Sequence, residues 1–126
     1  MGGVFPADNK QVFSKYSRHP FGYIFKEVEG NEYEVIPGKF EHAVKQNKEQ
    51  ALLGLPPVWV ADVQDKEITD KFEMESAIYG SSFIRLSCPV MRSTGAVSDE
   101  EDSWEISRID TIFLNLANVV KIDCSR

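Results

Sequence analysis

Carboxylates are the chemically capable side chains that this sequence groups most tightly. In the stretch GYIFKEVEGNEYEVIPG, residues 22–38, Glu27, Glu29, Glu32 and Glu34 recur on either side of Gly30-Asn31. If that pair forms a two-residue turn, Glu29 faces Glu32 and Glu27 faces Glu34, so four acids share one hairpin face. Like charges opposed across strands repel. A face of this kind discourages edge pairing and suits a basic protein partner. Asp62, Asp65 and Glu67 form a second acidic group behind a strand-like run. Strand-end carboxylates can hold magnesium for hydrolysis, but no Asp/Glu-x-Lys arrangement accompanies these, so a nuclease centre is not expected. A third run, Ser98 to Asp102 (SDEED), reads as a solvated loop able to face a basic protein.

Nucleophiles and metal ligands are sparse. The chain has two histidines, His19 and His42, and two cysteines, Cys88 and Cys124. Neither histidine has a second ligand at metal-binding spacing, so no metal is expected. Gly-rich phosphate loops, a Gly-x-Ser-x-Gly elbow and paired-histidine helices are all missing from the sequence. Cys88, within RLSCPV, reads as a small buried hydrophobe rather than a nucleophile. No catalytic residue and no cofactor is assigned. Trp59, Tyr79 and Trp104 are the aromatics best suited to line a pocket between a helix and a sheet.

The elements that must position these groups follow from periodicity. Residues 22–36 read as a hairpin closed by Pro37-Gly38. KFEHAVKQNKEQALLG places Phe40, Ala43, Val44, Asn47 and Ala51 on one helical face, so a helix is expected at about 39–53. Gly54 suits the left-handed residue that closes it, and Pro56-Pro57 forbid its continuation. VWVADVQ is rich in strand formers. KFEMESAIY alternates as a half-exposed strand should, with a helix through Ile68, Phe72 and Tyr79 as the competing reading. FIRLSCPVM reads as a strand that lies at an edge or breaks at Pro89.

The apolar stretch FLNLANVVKI, residues 113–122, admits two readings. Ile109, Ile112, Phe113, Leu116 and Val120 fit a helical face, with Ser98 to Glu101 as its capping box. Against this stand Asn115 and Asn118 in mid-helix and a high density of β-branched residues. Splitting the segment at Asn115–Asn118 makes both halves strands, with the asparagines in a turn. That break between the last two strands resembles small SH3-like or Sm-like barrels. The expected fold is therefore α+β: a strongly curved antiparallel sheet or small barrel, an N-terminal hairpin and one helix.

Bulk composition bounds the function. The chain has 126 residues, 42% hydrophobic and 27% charged, with net charge −6, as suits a single soluble domain. Residues 1–26 hold Lys10, Lys15, Arg18 and Lys26 against Asp8, giving +3. The rest holds 10 basic and 19 acidic residues, giving −9. Residues 1–21 thus read as a basic, aromatic arm before a single domain at 22–126. The acidic surplus argues against nucleic acid, no apolar run reaches the ~18 residues of a membrane span, and no export signal is recognisable. These features predict a cytoplasmic, non-catalytic module that binds a protein partner through an acidic surface, as a monomer or homodimer. The alternative is a small-molecule binder or minor enzyme with a pocket between helix and sheet.

Overall fold

The computed structural model describes residues 22–95 and 103–124. The basic arm and the SDEED loop lie outside them. The described residues form two antiparallel sheets and two α-helices. Strands β1 (Tyr23–Glu27), β2 (Glu32–Val35) and β7 (Val119–Cys124) form a three-stranded sheet in the order β2-β1-β7. Strands β3 (Val60–Val63), β4 (Lys66–Glu67), β5 (Phe83–Ser93) and β6 (Trp104–Asn115) form the other, in the order β4-β3-β5-β6. The two sheets do not close into a barrel among the described residues. They share one core, to which the first contributes Tyr23, Phe25, Val35 and Ile122 and the second Ala61, Ile84, Leu86 and Leu114. Burial of this apolar surface is the main force joining the sheets.

Helix α1 (Phe40–Leu52) matches the sequence expectation and buries Ala43, Asn47 and Gln50. Its end is a Schellman motif: Leu55 N–H donates to Gln50 O (2.8 Å), Gly54 N–H to Ala51 O (3.1 Å), and Gly54 has φ +72°. Its start is capped from a distance. Lys39, at the N-cap, offers no side-chain bond, and the Glu67 carboxylate of β4 accepts from Phe40 N–H at 3.0 Å. The negative charge lies where the exposed N–H groups of the helix favour it.

The expected strand over KFEMESAIY is corrected: residues 71–80 form a second helix, α2 (Lys71–Gly80). Local chemistry explains the outcome. Asp70 is an N-cap whose carboxylate accepts from Glu73 N–H at 2.8 Å, and Glu73 reaches back to Thr69 N–H at 2.7 Å. This is a capping-box pattern displaced by one residue. Those bonds from Thr69 hold the Glu73 carboxyl below the usual carboxylate range. Met74 and Ala77, three apart, then face the core.

Pro89 neither ends β5 nor lies on an edge strand, because β5 runs on to Ser93 between β3 and β6. It does end the pairing with β3, whose last partner is Ser87, opposite Val60. Two positions further on, past Trp59, whose backbone bonds to β2, Val58 would face Pro89, and proline has no N–H to give. Asn47 of α1 fills that gap. Its amide donates to Val58 O (3.0 Å) and Pro89 O (2.9 Å), and its carbonyl accepts from Val58 N–H (2.6 Å). A helix side chain thus completes a ladder that the strand sequence interrupts.

The last strands follow the strand–turn–strand reading. A single 3₁₀ turn, Leu116–Asn118, joins β6 to β7, and the Asn115 side chain accepts from Ala117 N–H at 2.9 Å. This local bond offers the backbone an alternative to extending the strand. Leu114 and Ile122 are both buried.

Candidate functional site

The structure does not build the four-acid hairpin face. Glu27 to Asn31 form a longer loop, with Gly30 at φ +97°, Glu27 N–H donating to Asn31 O, and Gly30 N–H donating to Glu27 O. The strand register consequently differs from a two-residue turn: Ile24 faces Glu34 and Lys26 faces Glu32. Glu29 lies exposed in the loop, and the Glu27 carboxylate accepts from the Asn31 side chain. Glu34 is buried, while Lys26 lies 3.7 Å from Glu32 and 3.6 Å from the fully buried Asp123. The acids are therefore partly neutralised and divided between loop and sheet. Burial, then the charges of Glu27 and Glu29, push the Tyr33 phenol above its ordinary range.

Trp59, Tyr79 and Trp104 are not brought together. Trp59 packs edge-on against Tyr33 (centroids 5.3 Å apart) and borders a cavity of about 180 Å³ with Glu32, Glu34 and Pro57. Tyr79 lies exposed on α2, and Trp104 pairs with Ser93 at the far end of the long hairpin. Neither lines a cavity described here.

A different site forms around the β3–β4 turn. Alternation along β5 sends Ile84 and Leu86 into the core and Phe83 and Arg85 to the opposite face. On that face Arg85 sits opposite Asp62 of β3 on one side and Phe113 of β6 on the other. Its Nε donates to Asp62 at 2.7 Å and its Nη2 to Asp65 at 3.0 Å. These bonds, with the adjacent carboxylate charges, raise the Arg85 pKa further, so the guanidinium is permanently charged. The arginine clamps the turn from which Asp65 projects. Gln64 and Asp65 both adopt left-handed backbones, with φ 53° and 67°, which side-chain-bearing residues rarely hold. They are the two central residues of the hairpin turn between Val63 and Lys66, a turn that calls for positive φ at both positions.

Two cavities adjoin this turn, of about 550 and 640 Å³, and share Val63, Gln64, Gly80 and Ser81. The first lies over Asp62, Asp65 and Arg85; the second lies between β4 and α2. Their rims carry Phe83 (54% exposed), Phe113 (72%) and Phe72 (81%). Three solvent-facing phenylalanines around adjoining hollows depart from the usual scatter of surface apolar residues. Their sequence signal was the polar company they keep: Phe83 shares its strand face with Arg85 and Ser87, whereas Ile84, Leu86 and Cys88 form the apolar face.

The two linings carry Asp62, Asp65, Glu67 and Glu73 with Lys66 and Arg85. Neither cavity is lined by a histidine or a cysteine. Asp62 and Asp65 are held by Arg85 and Glu67 by the α1 backbone. No group of three or more His, Cys, Asp or Glu side chains is placed to hold a metal ion among the described residues. The one buried thiol, Cys88, is pushed up to about 12 by burial and then by the charge of Asp110, which keeps it in the non-nucleophilic form. No helix among the described residues is long and apolar enough to cross a membrane. Compared with known proteins, the chain matches no family model, no curated protein and no solved structure.

Proposed function

We propose that this chain is a non-catalytic binding module that docks a basic, apolar segment of a partner protein around the β3–β4 turn. The observation that carries the reading is the exposure of Phe72, Phe83 and Phe113 around two adjoining hollows. Aromatic residues and arginine are the side chains most enriched where binding energy concentrates. Charge complementarity selects the segment. The cavity linings carry Asp62, Asp65, Glu67 and Glu73 against Lys66 and Arg85, so a surplus of acid faces the ligand. Apolar side chains would fill the hollows while a lysine or arginine meets Asp65 or the ring of Phe72 or Phe113. Arg85 keeps N–H groups beyond its two ion-pair bonds and can donate to a backbone carbonyl of the segment.

A second reading, a small-molecule site, is favoured by one observation. The 640 Å³ hollow between α2 and the sheet lies within the roughly 300–1,000 Å³ range of ligand pockets. Selection of a displayed random-peptide library on the full-length chain separates the two. The protein-binding reading expects peptides pairing bulky apolar residues with Lys or Arg, with Phe72→Ser weakening them about 10-fold or more. Failure to enrich any such peptide, or binding indifferent to Phe72→Ser, would overturn it.

A further inference from the structure

The strand edges of this fold are unequally protected. The outer edge of β2 is bridged to Trp59, which donates to Glu34 O and accepts from Ile36 N–H. Strand β4 is two residues long, its Glu67 engaged by α1. Strand β6, by contrast, runs twelve residues along the outside of the four-stranded sheet. The ladder geometry shows which of its groups face outward. Pro89 O turns away from β6 to meet Asn47, so its partner Ile109 also points its backbone N–H and C=O away from β5. The same holds for Thr111 and Phe113 by alternation. No described element supplies a hydrogen bond to these groups.

The open stretch has two natural ends. Ser107 is bulged out of the ladder, because Val90 pairs with Arg108 and Met91 with Ile106. At the other end Asn115 turns the chain into the 3₁₀ segment. Between these ends the edge carries no proline or lysine, the usual devices against strand addition.

We propose that two copies of this chain pair antiparallel through β6 about a two-fold axis at Thr111, forming a closed homodimer with one continuous eight-stranded sheet. The sequence of the edge is self-complementary in this register. Thr111 meets the partner's Thr111, and Ile109 (53% exposed) meets the partner's Phe113 (72% exposed) on the solvent face. Aromatic–β-branched and Thr–Thr pairs are favourable across antiparallel strands. Arg108 and Asp110 already form an ion pair within each chain, with Nε to Oδ1 at 2.8 Å, so no unpaired charge enters the seam. Shifting the axis to Ile109 would need the bulged Ser107 to pair, which disfavours it. The contact uses the β6 edge of both copies at once, so strand addition through β6 stops at two. The seam leaves Phe72 and the β3–β4 turn uncovered but shares Phe113 with the docking surface, so the test is placed at Thr111, which lines neither hollow and whose substitution leaves peptide docking a separate readout.

The test is analytical ultracentrifugation of the full-length chain and of Thr111→Pro. The substitution removes only an outward N–H, as edge prolines do in natural sheets, and a circular dichroism melt checks that the fold survives. A dimer with a dissociation constant of about 1–100 µM is expected, weakened about 30-fold or more by Thr111→Pro. Thr111→Cys supplies the register. Facing residues in a hydrogen-bonded pair lie about 5.5 Å apart, within disulfide reach, so Thr111→Cys should cross-link under mild oxidation well ahead of Ile109→Cys. A monomer at all accessible concentrations, an open-ended size distribution, a dimer indifferent to Thr111→Pro, or preferential cross-linking at Ile109→Cys would overturn the proposal.

Discussion

Replacing Asn47 by alanine removes the side chain that joins α1, the start of β3 and β5. It leaves Val58 N–H, Val58 O and Pro89 O without the bonds they make to it, in a site where Asn47 is 1% exposed. An orphaned buried group costs about 1–3 kcal/mol, and the carbonyls at the lower end, so we expect a loss of about 3 kcal/mol. That is a large share of the roughly 5–15 kcal/mol of a typical domain. Urea denaturation followed by circular dichroism reads it as a lower midpoint with unchanged slope. Asn47→Asp is the sharper variant. It keeps the shape and can still accept from Val58 N–H, but it cannot donate to either carbonyl, so it should cost at least as much as alanine at neutral pH. Restoring an N–H with Pro89→Ala should recover about 1 kcal/mol in the Asn47→Ala background and nothing in the wild type. A loss below about 1 kcal/mol for Asn47→Ala, or a harmless Asn47→Asp, would refute the ladder-completing role.

Two further outcomes follow from the structure. Folded Cys88 should resist iodoacetamide at pH 8 while the less buried Cys124 reacts. Its folded pKa is raised from 9.0 to about 12, so its contribution to stability is complete below pH 9 and is lost as pH rises toward 12; Cys88→Ala should flatten that alkaline limb, and an unchanged limb would contradict the burial argument. In the 3₁₀ turn, Asn115→Ala loses its bond to Ala117 N–H and should cost about 0.5–1 kcal/mol, whereas exposed Asn118→Ala should stay within about 0.5 kcal/mol; equal effects in chemical denaturation would argue against the Asn115 cap.

The readable parts of the fold were those where local chemistry and tertiary packing agree. Helix α1 combines periodic apolar residues with Gly54 and two prolines, and the last strands combine β-branched residues with paired asparagines. Helix α2 was misread because Phe72, Met74, Ser76 and Ile78 also alternate, and over ten residues the two periods overlap. The deciding signal was Asp70 with Glu73, two capping residues rather than a hydrophobic pattern. The acidic hairpin failed on register. Placing the turn at Gly30-Asn31 rather than across Val28–Asn31 changes every cross-strand partner, so the glutamates meet Ile24 and Lys26 instead of each other. Asp62 and Asp65 stood out as acids, but their partner Arg85 is 23 and 20 residues away, a distance that no local pattern reports. Phe72, Phe83 and Phe113 did not stand out in the sequence, because exposure depends on which helix or strand face the tertiary fold leaves open.

The central claim is that the β3–β4 turn and its aromatic rim, not the glutamates of the first hairpin, form the binding surface. Amide chemical-shift mapping of the full-length chain with a library-selected basic, apolar peptide tests this directly. The account predicts shifts confined to residues 62–66, 72–81, 83–85 and around 113, lost on Phe72→Ser while the remaining spectrum is unchanged. Shifts centred on Glu27, Glu29, Glu32 and Glu34, with the turn silent, would contradict it.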